Sequence, residues 1–155
     1  MSSKRRRALF TDVGGVDDFD ECGVAKVVVE RREYGVVRWH DQFFVFRNIC
    51  PHVGADLCEG AVGRALTSSG PLTPPEAHDD RPIVICPWHR WSFEVETGRS
   101  LHEPDRWKIR SYETEVRNGR VLADVARPPR ATRARRAAAL PANRDPAVGD
   151  CAQTG

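Results

Sequence analysis

The sequence contains Cys50-Pro51-His52, a C-x-H segment, and then Cys86-Pro87-Trp88-His89, a C-x2-H segment, with 33 residues between them. Each segment pairs one cysteine with one histidine. Structural zinc sites commonly take cysteines from one segment and histidines from another, because one tetrahedral ion binds all four. The mixed pairing instead favours a centre with two unlike metal atoms, in which thiolates hold one iron and imidazoles hold the other. The predicted ligands are Cys50, His52, Cys86 and His89.

The residues around both segments resemble the two cluster-binding loops of the Rieske ferredoxin family. The first loop would be CPHVGADLCEG, starting at residue 50, and the second CPWHRWSFEVETG, starting at residue 86. A weaker likeness extends from about Lys26 to Val125. The resemblance implies one 2Fe-2S cluster and a Rieske-like, all-β fold of small antiparallel sheets.

The chain departs from the family pattern at several positions in these loops. Arg90 stands where many members have glycine after the second histidine. Ala55 and Trp88 stand where high-potential members have extra cysteines, so we expect no disulfide between the loops. Trp91 and Phe93 stand where high-potential members have hydroxyl groups. Without these hydrogen-bond donors, the resemblance implies a low-potential centre, with a midpoint on the order of −150 mV.

Short runs rich in valine and aromatic residues predict β-strands, with little helical periodicity. Asn118-Gly119 is a strong hairpin signal between the last two runs. The predicted strands are Lys26–Glu30, Tyr34–His40, Phe43–Asn48, Pro82–Cys86, Phe93–Glu96, Trp107–Val116 and Arg120–Val125. Both ligand segments fall in loops between strands, where a rigid sheet can position them.

Composition divides the chain into a basic N-terminal segment (1–7), a Rieske domain (8–126) and a basic tail (127–155). The tail lacks a packable apolar pattern and is predicted to be disordered. It also lacks aromatic residues for base stacking, so we do not expect nucleic-acid binding. The segment from Ala61 to Arg81 is rich in proline, glycine and serine. It is predicted to be an exposed excursion, either a tolerated insertion or an element that contacts a partner.

The formal charge of +2 conceals an acidic centre, because residues 8–126 contain 14 basic and 20 acidic side chains. One hypothesis is that this charge steers the domain toward a basic patch on a redox partner. The alternative is a solvated acidic surface without a role in recognition.

Three side chains in or near the two loops are predicted to pack against the site rather than to bind metal. Trp88 and Trp91 are predicted to shield the cofactor and fill the space between loop and sheet. Cys58 is predicted to be a small buried residue rather than a ligand.

Length favours a carrier over an enzyme with its own substrate pocket, because 155 residues allow one modest domain. After His89 the only histidine is His102, so we expect no mononuclear-iron catalytic domain. The predicted function is one-electron transfer from a flavin reductase to a terminal oxygenase or similar enzyme. The alternatives are an accessory subunit resembling the nitrite reductase small subunit, and a metal-stabilised interaction module.

The first 30 residues contain no apolar stretch long enough for a membrane anchor or an export signal. Arg5-Arg6-Arg7 followed by an apolar tripeptide briefly resembles a twin-arginine signal, but acidic residues from Asp12 onward interrupt it. We therefore expect a soluble, cytoplasmic protein without a membrane partner.

Overall fold

The computed structural model describes residues 9–125 and 138–139, and their regular structure is almost entirely β. Two short 3-10 helices cover Val16–Asp18 and Leu57–Glu59. The strands are β1 (Thr11–Gly15), β2 (Gly23–Val29), β3 (Arg32–Trp39), β4 (Gln42–Arg47), β5 (Ala61–Thr67), β6 (Glu76–Ile85), β7 (Ser92–Glu94), β8 (Ser111–Tyr112), β9 (Thr114–Arg117), β10 (Arg120–Ala123) and β11 (Ala138–Ala139). They form small antiparallel sheets, which confirms the predicted fold class.

The central sheet has the order β11-β4-β3-β2, with β8 also paired to β4. Strand β4 is buried on both faces, because its side chains alternate between two separate cores. Phe44 and Phe46 enter the core that also contains the cysteines of the two predicted ligand segments. Phe43 and Val45 enter the other core, under a second sheet. The double burial explains why this strand reads as a continuous apolar run.

The second sheet has the order β1-β10-β9 and closes the other core. Its hairpin turns at Asn118 and Gly119, which have φ values of 51° and 71°. Two consecutive residues with positive φ match the tight turn that an Asn-Gly pair predicts. The predicted hairpin is therefore confirmed, although the run before it divides into β8 and β9.

The third sheet, β5-β6-β7, carries the second ligand segment at the end of β6. Strands β5 and β6 pair from Ala61 opposite Ile85 to Thr67 opposite Glu76. Most of the predicted excursion is therefore a hairpin with a bulge, since Arg64 lies opposite Pro82 but Ala65 lies opposite His78, and residues 68–75 form its tip. Leu72 in that tip is 98% exposed. The predicted strand Pro82–Cys86 matches the end of β6. Strand β5 and the start of β6 were not predicted, because glycine, arginine and a polar run interrupt their apolar alternation.

The predicted basic segment (1–7) and most of the predicted disordered tail (127–155) lie outside the described residues. Within the tail, Ala138 and Ala139 pair with Phe43 and Gln42 at the edge of β4. None of the helices in residues 9–125 has the length and apolar character needed to cross a membrane.

Candidate metal centre

Two loops present the predicted ligands, and strand pairing brings them together. Loop 1 (residues 48–56) follows β4, and loop 2 (residues 86–91) joins β6 to β7. The chain leaving loop 1 enters β5, where Ala61 lies opposite Ile85, the residue before loop 2. A Cβ atom on Gly60 would lie 1.8 Å from the Ile85 carbonyl oxygen. Only glycine permits this close approach, so Gly60 lets the two loops meet.

The two loops share one backbone hydrogen-bond pattern around their cysteines. In loop 1, the Cys50 carbonyl accepts from Gly54 N at 2.8 Å, and Cys50 N donates to the Ala55 carbonyl at 2.9 Å. In loop 2, the Cys86 carbonyl accepts from Arg90 N at 3.0 Å, and Cys86 N donates to the Trp91 carbonyl at 2.7 Å. Each cysteine is therefore clamped through both of its backbone polar groups.

The residue four positions after each cysteine adopts the left-handed conformation, with φ of 76° at Gly54 and 58° at Arg90. Glycine adopts this conformation without a Cβ clash, whereas other L-residues pay roughly 1–2 kcal/mol. Arg90 therefore keeps the backbone geometry of the loop at the expense of local strain.

Cys50 and Cys86 lie together inside the first core, each with 1% of its surface exposed. Burial raises the pKa of the Cys50 thiol, and the neighbouring Cys86 raises it further, while the backbone N–H groups of His52 and Val53 oppose the shift. Two thiolates this close repel each other in a desolvated site. Ionisation of Cys50 is therefore favoured by a bound cation, and metal binding at this thiol would release its proton.

His52 and His89 are exposed and lie against each other, with ring centroids 4.8 Å apart. His52 also stacks on Trp91, with centroids 4.3 Å apart and an interplanar angle of 9°. Trp91 packs edge-on against Trp107 at 5.2 Å, and Trp107 Nε1 donates to Glu103 Oε2 at 2.8 Å. A tryptophan from loop 2 therefore holds the orientation of a histidine from loop 1.

The structure thus brings all four predicted ligands together as a buried thiol pair and an exposed imidazole pair. In residues 9–125 there is no group of three or more His, Cys, Asp or Glu side chains arranged to hold a single metal ion. A two-iron cofactor needs only two protein ligands on each iron, whereas one structural zinc ion would need all four ligands around a single point. The donor set fits a 2Fe-2S cluster with mixed ligation.

A polar network that sequence reasoning missed anchors the end of loop 1. Asp56 Oδ1 accepts from Asn48 Nδ2 at 2.7 Å and from Cys58 N at 3.0 Å, and Asp56 also pairs with Lys26. Burial opposes ionisation, but the bonds from Lys26 and Asn48 hold the pKa of Asp56 below its ordinary value. An aspartate immediately before Leu57–Glu59 is an N-cap signal that could have identified it.

The predicted packing roles hold for one tryptophan and fail for the other. Trp91 packs between the loops, whereas Trp88 is 63% exposed. Trp88 lies at the outer end of loop 2, where no sheet covers it. Trp107, which was assigned only to a strand, supports the site from a separate segment. Cys58 is a half-buried free thiol, and burial raises its pKa to about 12.

Comparison with known proteins extends this result. A model of the Rieske [2Fe-2S] domain family matches residues 10–113. The ferredoxin component of the alkene monooxygenase system of Xanthobacter autotrophicus is 30% identical over 113 residues, covering 73% of this chain and 79% of that protein.

Solved structures share the fold. The ferredoxin of carbazole 1,9a-dioxygenase from Nocardioides aromaticivorans superposes with a TM-score of 0.58 at 24% identity, covering 74% of this chain and 95% of its own. A putative NADH-dependent nitrite reductase small subunit from Mycobacterium tuberculosis has a TM-score of 0.59 at 19% identity, covering 74% and 93%. These findings confirm the predicted family, cofactor and carrier role. The chain belongs to the Rieske [2Fe-2S] family, and it is an electron carrier with one 2Fe-2S cluster rather than a catalyst.

Proposed function

We propose that Cys50 and Cys86 bind one iron of the cluster, that His52 and His89 bind the other, and that the chain carries electrons from a flavin reductase to a terminal oxygenase. The observation that supports this assignment is the division of the donors into a buried thiol pair and an exposed imidazole pair. Thiolates and imidazoles at separate ends match the ligand chemistry of Rieske centres.

The surrounding residues suit transfer of an electron to another protein. The cluster, when bound, supplies reversible one-electron chemistry without making a bond in a substrate. The core around Cys50 and Cys86 keeps water from the sulfur ligands, whereas His52 and His89 face solvent. A partner would therefore approach from the histidine side, where Trp91 holds the His52 ring in place.

The oxygenase assignment is supported by the similarity to the alkene monooxygenase ferredoxin component. The similarity to a nitrite reductase small subunit rests on fold alone. A module with one structural metal ion is disfavoured by the separation of the donors into two pairs.

Residues 8–126 would form the Rieske domain, between the basic segments 1–7 and 127–155, and the protein would work in the cytoplasm. The match of residues 10–113 to the family model supports one domain that lies within these limits.

Electron paramagnetic resonance of anaerobically purified, dithionite-reduced protein tests the ligand assignment. A rhombic signal of the histidine-ligated 2Fe-2S type, with matching iron and acid-labile sulfide, is expected. A colourless protein that contains zinc would contradict it. Addition of the protein to a flavin reductase and an oxygenase from the same organism should then be required for NADH-driven oxygenation.

The protein is also expected to have a low reduction potential. Trp91 and Phe93 offer no hydroxyl group near loop 2, and Phe93 is fully buried. Fewer hydrogen bonds to the sulfur atoms leave a Rieske centre near the lower end of its range, on the order of −150 mV. Redox titration monitored by circular dichroism measures the midpoint, and a value above about +100 mV would contradict the prediction.

A further inference from the structure

A cleft beside loop 1 is lined by basic side chains from three separate parts of the chain. One contributor lies at the start of β3, one at the end of β4, and the others between β7 and β8. Loop 1 forms one wall through Pro51 and Gly54, and Cys50 reaches the floor. We call it the basic cleft, defined by Arg32, Arg47, Lys108 and Arg110.

Sheet pairing explains why these side chains converge. Strands β3 and β4 pair so that Tyr34 lies opposite Arg47, which places Arg32 just beyond it on the neighbouring strand. Arg47 N donates to the Arg110 carbonyl at 2.8 Å, which draws the segment before β8 to the same place. The Arg47 guanidinium lies over the Tyr34 ring at 5.6 Å, so its orientation is restricted.

These cations have no carboxylate partner among the described residues, whereas six other basic residues of the domain do. Among residues 9–125, no Asp or Glu lies within ion-pairing distance of any side chain that defines the basic cleft. Basic residues with a carboxylate partner in the described part of the chain include Lys26, Arg38, Arg81, Arg106, Arg117 and Arg120.

We propose that the basic cleft docks an acidic segment of the redox partner, through carboxylates that pair with Arg32, Arg47, Lys108 and Arg110. This inference rests on the proposed function, because it names the chemistry of the surface that the partner presents. Guanidinium groups suit this role, since they bind carboxylates through two parallel hydrogen bonds. Docking here would place the partner against loop 1 beside Pro51, which directly precedes the exposed ligand candidate His52. The net negative charge of the domain acts at longer range, so it does not determine this local contact.

Binding of a fluorescein-labelled hexaglutamate peptide to the cluster-loaded protein tests the proposal. Fluorescence anisotropy at low ionic strength should show binding that weakens as salt is added. The double variant Arg32→Glu/Lys108→Glu should bind about tenfold more weakly, because it reverses two charges in the cleft. The matched control is Arg117→Glu, a single reversal in the separate β1-β10-β9 sheet, which should change affinity less than about twofold. The milder pair Arg32→Gln/Lys108→Gln should give an intermediate loss, and it supplies the answer should the double reversal fail to fold.

Three results would overturn the proposal: no peptide binding at low salt, equal weakening by Arg117→Glu and the double variant, or tighter binding of inorganic phosphate than of the peptide. The last result would indicate a small-anion site instead of a protein-docking surface. The paramagnetic spectrum of the same samples separates this test from the proposed function. If the unsubstituted protein fails to bind the peptide but gives the rhombic signal, only the docking surface is rejected. If the unsubstituted protein lacks that signal, the carrier assignment is rejected whatever the protein binds.

Discussion

Loop 1 and loop 2 use the same backbone clamp around a cysteine, yet their surroundings differ in chemistry. Loop 1 borders the basic cleft, whereas loop 2 contributes the aromatic residues Trp88 and Trp91. Their left-handed positions also differ, since one is Gly54 and the other is Arg90. The comparison shows that the hydrogen bonds around the cysteine define the shape of the loop, while the other side chains are free to specialise its surface.

Removing either cysteine should have the largest effect, because the two loops each supply one buried sulfur. We expect Cys50→Ala and Cys86→Ala each to abolish the rhombic signal and the acid-labile sulfide. The matched control is Cys58→Ala, which removes a thiol of the same size outside the site and should keep a full cluster. A cluster that survives in either loop variant, or is lost in the control, would contradict the equivalence of the loops.

Replacing each tryptophan of loop 2 by alanine should show which of the two side chains stabilises the fold. Trp91→Ala removes the ring that stacks on His52 and should lower the free energy of unfolding by about 2 kcal/mol. Trp88→Ala alters an exposed side chain and should change the free energy of unfolding by less than about 0.5 kcal/mol. Chemical denaturation of both variants measures the difference, and equal losses would show that Trp88 packs in solution.

Exchanging the left-handed residues should have opposite effects in the two loops. Gly54→Ala places a Cβ on a backbone with φ of 76° and should destabilise the fold by about 1 kcal/mol. Arg90→Gly relieves the backbone strain at this position, but glycine also gives the unfolded chain more conformational entropy. The net effect should be a stabilisation of the fold by about 0.5 kcal/mol. No neighbour lies within 4 Å of the Cβ position at Gly54, so a steric clash does not complicate the test. Thermal unfolding that shifts in the same direction for both variants would contradict this account.

An effect of similar size concerns the anchor of loop 1, which loop 2 lacks. Asp56 has a lowered pKa, so its stabilisation is fully present above the ordinary aspartate pKa and is lost as pH falls through the lowered value. Asp56→Asn should therefore cost about 1 kcal/mol at neutral pH, and the difference from the parent should shrink in acid. Denaturation at several pH values measures it. A difference that is independent of pH would mean that the charge of Asp56 contributes nothing.

Much of the fold could be predicted because the informative signals are local. The strands around Val36 and Val45 follow from runs of β-branched and aromatic residues, and Asn118-Gly119 predicts its own turn. The pairing of β5 with the first half of β6 could not be predicted, because Gly63, Arg64 and the largely polar residues 76–81 interrupt the apolar alternation. Trp107 was likewise missed as a supporting residue, since 16 positions separate it from Trp91 in the chain.

The sequence by itself determined the family, the all-β class and the candidate ligands, since short motifs with fixed spacing carry that information. Tertiary structure decided how the donors divide into a buried pair and an exposed pair, which tryptophan supports His52, and where unpaired cations gather. Burial and charge clustering arise from residues that are distant in sequence. They depend on strand register and on core packing, which no local pattern specifies.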